Sequence, residues 1–492
     1  MIHRPHVDWL ALAPANTLLT TMAICLLAAV LAPTSIRRAF AASVAATGFL
    51  VSGIFAAVVY AHSAQGESII GGAFRRDRFG ALAAIIIAGA GLLSIGVSHG
   101  ERMRDDHVAE YYALLAAAGG GMIFLASAQN LMTLFLALEW FSIALYVLCA
   151  IDSDRERGLE AGLKYLIVGS FGSAILLFGS ALVYGATGQL NFERIAQATA
   201  QQGLKGDALL VAGLAMMITG FGFKASAAPF HMWTPDVYDG APTPVTAFMS
   251  AATKTVALLL TMRVLVTAFP QERHLWTVAI AVIAIVSLAW GNIAALVQRN
   301  VKRMLAYSSV SHAGFMLIAV AAGNALGGRA LLYYLIPYSA MSIGAFAVVA
   351  ARERELGRAV EAKDFAGYVW ERPLLGVSLW TFMLGFAGFP LTGGFVGKFY
   401  VFAAAHDRGW DWLIIAGVIA TAISLYYYLG IVRALWMRPR EEPQLAPAGG
   451  SPPRELLLQA SVAACLAITV GSFFAVQPLI DLGRHASRAL PF

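Results

Sequence analysis

Charge is what this sequence has least of. Asp, Glu, Lys and Arg make up 13% of its 492 residues, and 59% are hydrophobic, whereas soluble domains carry roughly 25% charged residues. A compact soluble fold of this length could not keep so much apolar surface from water, so the chain reads as a polytopic membrane protein. Cysteine is scarce as well. Cys25, Cys149 and Cys465 stand alone in apolar runs, with no C-x-x-C pair and no cysteine–histidine spacing, which argues against iron–sulfur or zinc sites. A nucleotide-fuel motif is missing, whether G-x-x-x-x-G-K-S/T or a G-x-G-x-x-G after a strand. The formal charge of +6 comes from single basic residues in loops, not from a tract, so no nucleic-acid partner is expected.

What is present is a series of apolar runs long enough to cross about 30 Å of hydrocarbon. Fourteen can be counted, at 14–34, 40–62, 79–98, 111–129, 131–150, 162–186, 208–232, 241–268, 275–297, 303–322, 329–351, 373–403, 411–433 and 457–479. The predicted fold class is therefore all-α, about fourteen transmembrane helices in contact with the bilayer. Lysine and arginine concentrate in alternate loops, on the side that holds Arg37, Arg102, Arg155, Arg299, Arg352 and Arg438. The positive-inside rule makes that side cytoplasmic and places both termini on the other side. The cluster Arg75–Arg78 runs against the trend.

A few charges fall where lipid should be. Glu139 lies in "LFLALEWFSIALY", and Lys224, Lys254 and Lys398 lie inside spans. Each costs about 2.5–3.5 kcal/mol at mid-bilayer if unpaired. Snorkelling to an interface suits Arg263 and Lys164, which sit near span ends, and does not suit the four central residues. Two prolines sharpen the pattern. Pro229 follows Lys224 and leaves the carbonyl of Ala225 without its helical donor; Pro390 does the same to Phe386 in "GFAGFPLTGGFVGKFYVF", ahead of Lys398. A packing kink would explain either proline alone. A broken helix beside a buried lysine, twice over, points to irregular backbone lining a polar cavity.

The broken spans are the seventh and the twelfth, five apart, so they cross in opposite directions. That spacing predicts an inverted repeat: a three-helix segment at 1–110, a first repeat at 111–268 (spans four to eight), an inverted second repeat at 275–433 (spans nine to thirteen), and a loop with a last helix at 434–492. The repeat pairs the span of Glu139 with the tenth span, which holds His312 in "AYSSVSHAGFM". The row Glu139, Lys224, Lys254, His312 and Lys398 suits protons rather than metal ions, which want several oxygen ligands. Asp236 and Asp239 read equally as loop and cap residues or as proton collectors.

Four stretches, "LEAGLKYLIVGSFGSAILLFGSALVYGATG", "PFHMWTPDVYDGAPTPVTAF", "NVKRMLAYSSVSHAGFMLIA" and "GFPLTGGFVGKFYVF", closely resemble the subunit N family of the bacterial proton-pumping NADH–quinone oxidoreductase, respiratory complex I. The resemblance is strong from about residue 110 to 405. It implies an antiporter-like membrane-arm subunit of the inner membrane that passes protons while NADH reduces quinone elsewhere in the complex. It implies a proton pathway through Glu139, Lys164, Lys224, Lys254 and Lys398, with His231 and His312 as supporting relays, and so raises Lys164 above a snorkelling residue. It also implies no cofactor on this chain, with NADH, flavin, iron–sulfur clusters and quinone on other subunits. Its partners would be another antiporter-like subunit and small membrane subunits. A subunit of a multisubunit sodium/proton antiporter and a non-conducting scaffold are the alternatives.

Overall fold

The computed structural model describes residues 7–101, 107–437 and 455–492. Its apolar runs fold as helices because a backbone in hydrocarbon must satisfy its own polar groups. In order these are α1 (Trp9–Leu31), α2 (Thr34–His62), α3 (Arg78–Ser98), α4 (Val108–Ser127), α5 (Leu131–Cys149), α6 (Glu156–Thr187), α7 (Phe192–Gln201), α8 (Ala208–Lys224), α9 (Trp233–Gly240), α10 (Thr243–Phe248) and α11 (Lys254–Ala268). Then follow α12 (Arg273–Leu296), α13 (Val301–Ala322), α14 (Ala325–Leu356), α15 (Tyr368–Glu371), α16 (Pro373–Ala387), α17 (Gly393–Asp407), α18 (Asp411–Trp436), α19 (Leu456–Phe474) and α20 (Val476–Ser487). Asn or Asp side chains cap seven of the helix starts, among them Asp77 on α3, Asn130 on α5 and Asn300 on α13, each satisfying an N–H that the first turn cannot.

Twelve helical stretches are long and apolar enough to cross a membrane, counting α10 and α11 as one. Two further apolar helices, α8 and α16, are too short. Each continues after a break, α8 into α9 and α16 into α17, so fourteen crossings result and the two interrupted ones are those expected from Pro229 and Pro390. A π turn at Met249–Thr253 joins α10 to α11.

The structure departs from the sequence reading in several places. The seventh span runs on to Gly240, so Asp236 and Asp239 sit in helix α9 rather than in a loop. The last span ends at Phe474, and a separate amphipathic helix, α20, follows it. A second amphipathic helix, α7, and a two-stranded hairpin, β1 (Glu67–Ile69) with β2 (Phe74–Arg76), register Glu67 opposite Arg76, were not anticipated.

Asp8 pairs with Arg76 at 2.7 Å, and the Tyr60 hydroxyl donates to Leu482 O at 2.8 Å. These contacts tie the hairpin, the end of α2, the start of α1 and helix α20 to one face, called here the terminal face. On the opposite face, Arg354 joins Glu101 and Glu455. There the Asp364 carboxyl is buried, which alone would raise its pKa; hydrogen bonds from the Arg358 guanidinium and the Glu361 N–H outweigh burial and hold it below its ordinary value.

The bundle is layered. The α10–α11 span, α13 and α14 are enclosed, whereas α1, α2, α6, α18 and α19 form the rim and present large apolar side chains outward. Arg263 corrects the snorkelling reading. It is buried near the end of α11 and forms a two-pronged ion pair with the buried Asp77 at 2.7 and 2.9 Å. Asp77 also caps α3 through Gly80 N at 2.7 Å. Removing one partner of a buried pair strands the other charge and costs about 3–5 kcal/mol. Arg263→Ala is therefore expected to lower the thermal midpoint of the solubilised complex, read by release of this subunit on heating. An unchanged midpoint would mean that α3 is held by apolar packing alone.

Candidate functional site

The four central charges and His312 all fall near mid-span. Glu139 is the ninth of the 19 residues of α5, half-buried, and its Oε1 is enclosed without a hydrogen-bond partner. One turn on, and so on the same helix face, Ser142 accepts a 2.8 Å hydrogen bond from Lys224 Nζ and donates its own hydrogen to Leu138 O. Lys224 closes α8, buried, with the rings of Phe141, Phe223 and Tyr146 at 5.6, 5.6 and 6.0 Å from its ammonium. Such rings offset part of the lost hydration of a cation. The structure thus brings Glu139 and Lys224 to one site but holds the lysine by a hydroxyl rather than by the carboxylate.

The breaks explain the other two lysines. In the first, α8 stops at Lys224, Ser226 takes a left-handed φ of 59°, and the Ala228–Pro229 peptide is cis. The carbonyl of Ala225, which the proline deprives of its helical donor, accepts from Lys254 Nζ at 3.1 Å. Lys254 opens α11 immediately after the π turn and is fully buried. In the second, α16 stops at Ala387, and Gly388 and Leu391 have φ of 84° and 71°. Lys398 Nζ reaches back from α17 to Ala387 O at 3.3 Å and lies 4.4 Å from the centre of the Phe315 ring. The orphan carbonyl taken is thus Ala387, one residue beyond the Phe386 that the proline rule indicated. A Cβ on Gly388 would stand 3.1 Å from Lys398 Cδ, so glycine there serves both the left-handed backbone and the close approach of the lysine. Each break therefore exposes the negative end of a half-helix and sets an ammonium on it, the favourable sign for that pole.

His312 lies in α13 with both ring nitrogens bonded, Nδ1 to Tyr334 Oη at 2.8 Å and Nε2 to Tyr428 Oη at 3.1 Å. Tyr428 bonds onward to Ser308. A tyrosine hydroxyl can donate or accept, so this setting accommodates neutral and protonated imidazole alike. His231 sits within the first break, buried, with Nδ1 lacking a partner and its ring against Trp290 and Tyr307 at 6.0 and 6.4 Å. Lys164 is not in the row. It lies near the opposite face, 2.7 Å from Glu160 and 3.0 Å from Asp236, which also pairs with Arg303 at 2.7 Å.

The sequence reading passed over the hydroxyls. Ser142, Tyr334, Tyr428 and Ser308 hold the titratable groups, and Asn292 ties α12 to Ser311 at 2.9 Å and to Tyr427 at 2.8 Å. A usable signal existed in serines and tyrosines three or four residues from a charge in otherwise apolar runs, as in "LEWFSIALY".

Residues 128–424 match the family model described as NADH:quinone oxidoreductase/Mrp antiporter, TM. Over 490 residues, 97% of this chain and 96% of its relative, the sequence is 39% identical to NADH-quinone oxidoreductase subunit N 2 of Roseiflexus castenholzii. Among solved structures, a chain of respiratory complex I from Thermus thermophilus superposes with a TM-score of 0.79 at 32% identity, covering 96% of this chain and 99% of that one. A chain of the Mrp complex from a Dietzia species superposes at 0.84 with 20% identity, covering 98% and 97%, a likeness of fold alone.

The caps make a direct prediction. Lys254→Met removes the donor that Ala225 O has among the described residues and should speed amide hydrogen exchange across 225–228. Exchange unchanged from the parent chain would show that the break is held by its backbone alone.

Proposed function

Because the chain belongs to the subunit N family of the NADH-quinone oxidoreductases, within the NADH:quinone oxidoreductase/Mrp antiporter group, we propose that it is a membrane-arm subunit that carries protons across the membrane while NADH reduces quinone on other subunits. The conducting row is Glu139, Lys224, Lys254, His312 and Lys398. One observation carries this reading. Three buried ammonium groups each rest on one neutral acceptor, a serine hydroxyl or a backbone carbonyl, while a buried carboxylate oxygen beside the first stands unbonded.

The neutral acceptors matter to the chemistry. A lysine that gives up its proton keeps two N–H donors, so its bond to Ser142, Ala225 or Ala387 survives in either state and the helix break does not collapse. A carboxylate close to Lys224 favours the charged lysine; withdrawing it in a dry site favours release. Moving one charge against 100 mV costs about 2.3 kcal/mol, within reach of such a change in pairing. His312, bonded on both sides to hydroxyls, stands between the lysines of the two breaks. His231 supports the first break, and Lys164, with Asp236, lies at the mouth on the opposite face.

The same reading assigns an inverted repeat to 111–268 and 275–433, with 1–110 and 434–492 outside it. It supports a bacterial inner-membrane setting with the terminal face away from the cytoplasm. NADH, flavin, iron–sulfur clusters and quinone belong to other subunits, and another antiporter-like subunit and small membrane subunits are the neighbours. Its test uses membranes with the whole complex carrying Glu139→Ala or Lys224→Ala, assembly being checked first. Turnover or the proton gradient should fall about tenfold or more, the scale of a lost proton-transfer group. Parent values of both would make the buried charges structural and the chain a scaffold.

A further inference from the structure

On the opposite face a cavity of about 310 Å³ opens between α6, the α9–α10 corner, α13 and α14, lined among others by Arg157, Asp239, Glu353, Arg358 and Lys302. Four of these are ordinary loop and helix-end charges. Lys302 is different. It is buried, 5% exposed, and its Nζ donates to Ala241 O at 2.8 Å, again a neutral carbonyl. That is the environment found at Lys254 and Lys398, here at the floor of a cavity rather than at mid-depth.

Lys302, Ser309 and His312 are spaced i, i+7 and i+10 on α13, so they share one face of the helix. The climb from Lys302 to His312 is about 15 Å. Along it stand Tyr238 from α9, three residues before the carbonyl that holds Lys302, and Tyr338 from α14, whose ring lies 5.4 Å from that of His312. The hydroxyls of Tyr238, Ser309 and Tyr338 are all buried and none has a partner in hydrogen-bonding geometry, although Ser309 lies close to both tyrosines. Buried hydroxyls are rarely left unbonded, and a bridging water is the usual partner of such groups. Three helices thus contribute orphan hydroxyls to one line between the cavity floor and the histidine.

We propose that Lys302 is the proton-uptake residue of this chain, and that the hydroxyls of Tyr238, Ser309 and Tyr338, bridged by water, carry the proton to His312. The amine of Lys302 takes a proton from water in the cavity and passes one from its ammonium to the first hydroxyl or bridging water. Each hydroxyl accepts on oxygen and releases its own hydrogen onward, and the imidazole of His312 receives the last. No other bond is made or broken. The inference rests on the assignment of His312 to the conducting row.

The test uses the whole complex in inside-out vesicles, with NADH turnover, the proton gradient and the content of assembled complex measured together. Lys302→Met and Lys302→Arg should each lower turnover or the gradient about tenfold or more. Arginine keeps the charge and the donor to Ala241 O but does not release its proton, so activity regained in Lys302→Arg would make Lys302 a structural cation and overturn the proposal, as would parent activity in both. Should Lys302→Met fail to assemble, Lys302→Arg and a second reading decide. In Ala359→Cys, at the cavity rim, a membrane-impermeant thiol reagent should attach from the opposite face and slow turnover, since Cys25, Cys149 and Cys465 are buried. No attachment, or attachment without effect, would overturn it. Loss of pumping in Glu139→Ala with normal pumping in the Lys302 variants would remove this entry route and leave the broader reading standing.

Discussion

The structure depends on how two interrupted helices are stabilised in the interior of a membrane protein. Backbone carbonyls that lose their helical donor in hydrocarbon cost several kcal/mol each if left bare. The chain instead sets a lysine on each, Lys254 on Ala225 and Lys398 on Ala387. The arrangement solves two problems with one bond. The ammonium has a partner and a favourable helix pole; the broken helix has a cap. Neither group is tolerable at that depth without the other, and the left-handed residues Ser226 and Leu391 persist because the surrounding packing and these caps over-determine them.

Charge management elsewhere follows a different rule. Arg263 and Asp77, buried just as deeply, answer each other's charge with two hydrogen bonds. A pair so matched has no reason to exchange a proton. The lysines of the row and Lys302 are each given a single neutral acceptor instead, with aromatic faces added at Lys224 and Lys398. The contrast between a charge-matched pair and minimal pairing sets the framework charges apart from those we propose to conduct.

Much of this was legible in the sequence. Fourteen crossings, the two interrupted spans and every central charge follow from apolar run lengths and from the rarity of lysine, glutamate and proline within them. Arg263 was misread because position within a span says how far a side chain must reach for water, not whether an aspartate from another helix waits for it. The hairpin, α7 and α20 escaped because a count of apolar runs does not register short polar elements lying on a face. The hydroxyl partners were hidden for a related reason: serine and tyrosine are ordinary in membrane helices, and only the three-dimensional meeting of α5 with α8, or of α13 with α14 and α18, distinguishes a working hydroxyl from a packing one.

One helix joins these themes. Nine steps along α11 lead from Lys254, fastened to the first break, to Arg263, fastened to the start of α3, a rigid length of about 13.5 Å. In mechanical terms α11 is a strut pinned at both ends, with its compliance at the π turn before Lys254. The far pin lies on α3, so the three-helix segment at the beginning of the chain, which holds none of the central charges, is joined mechanically to the first break.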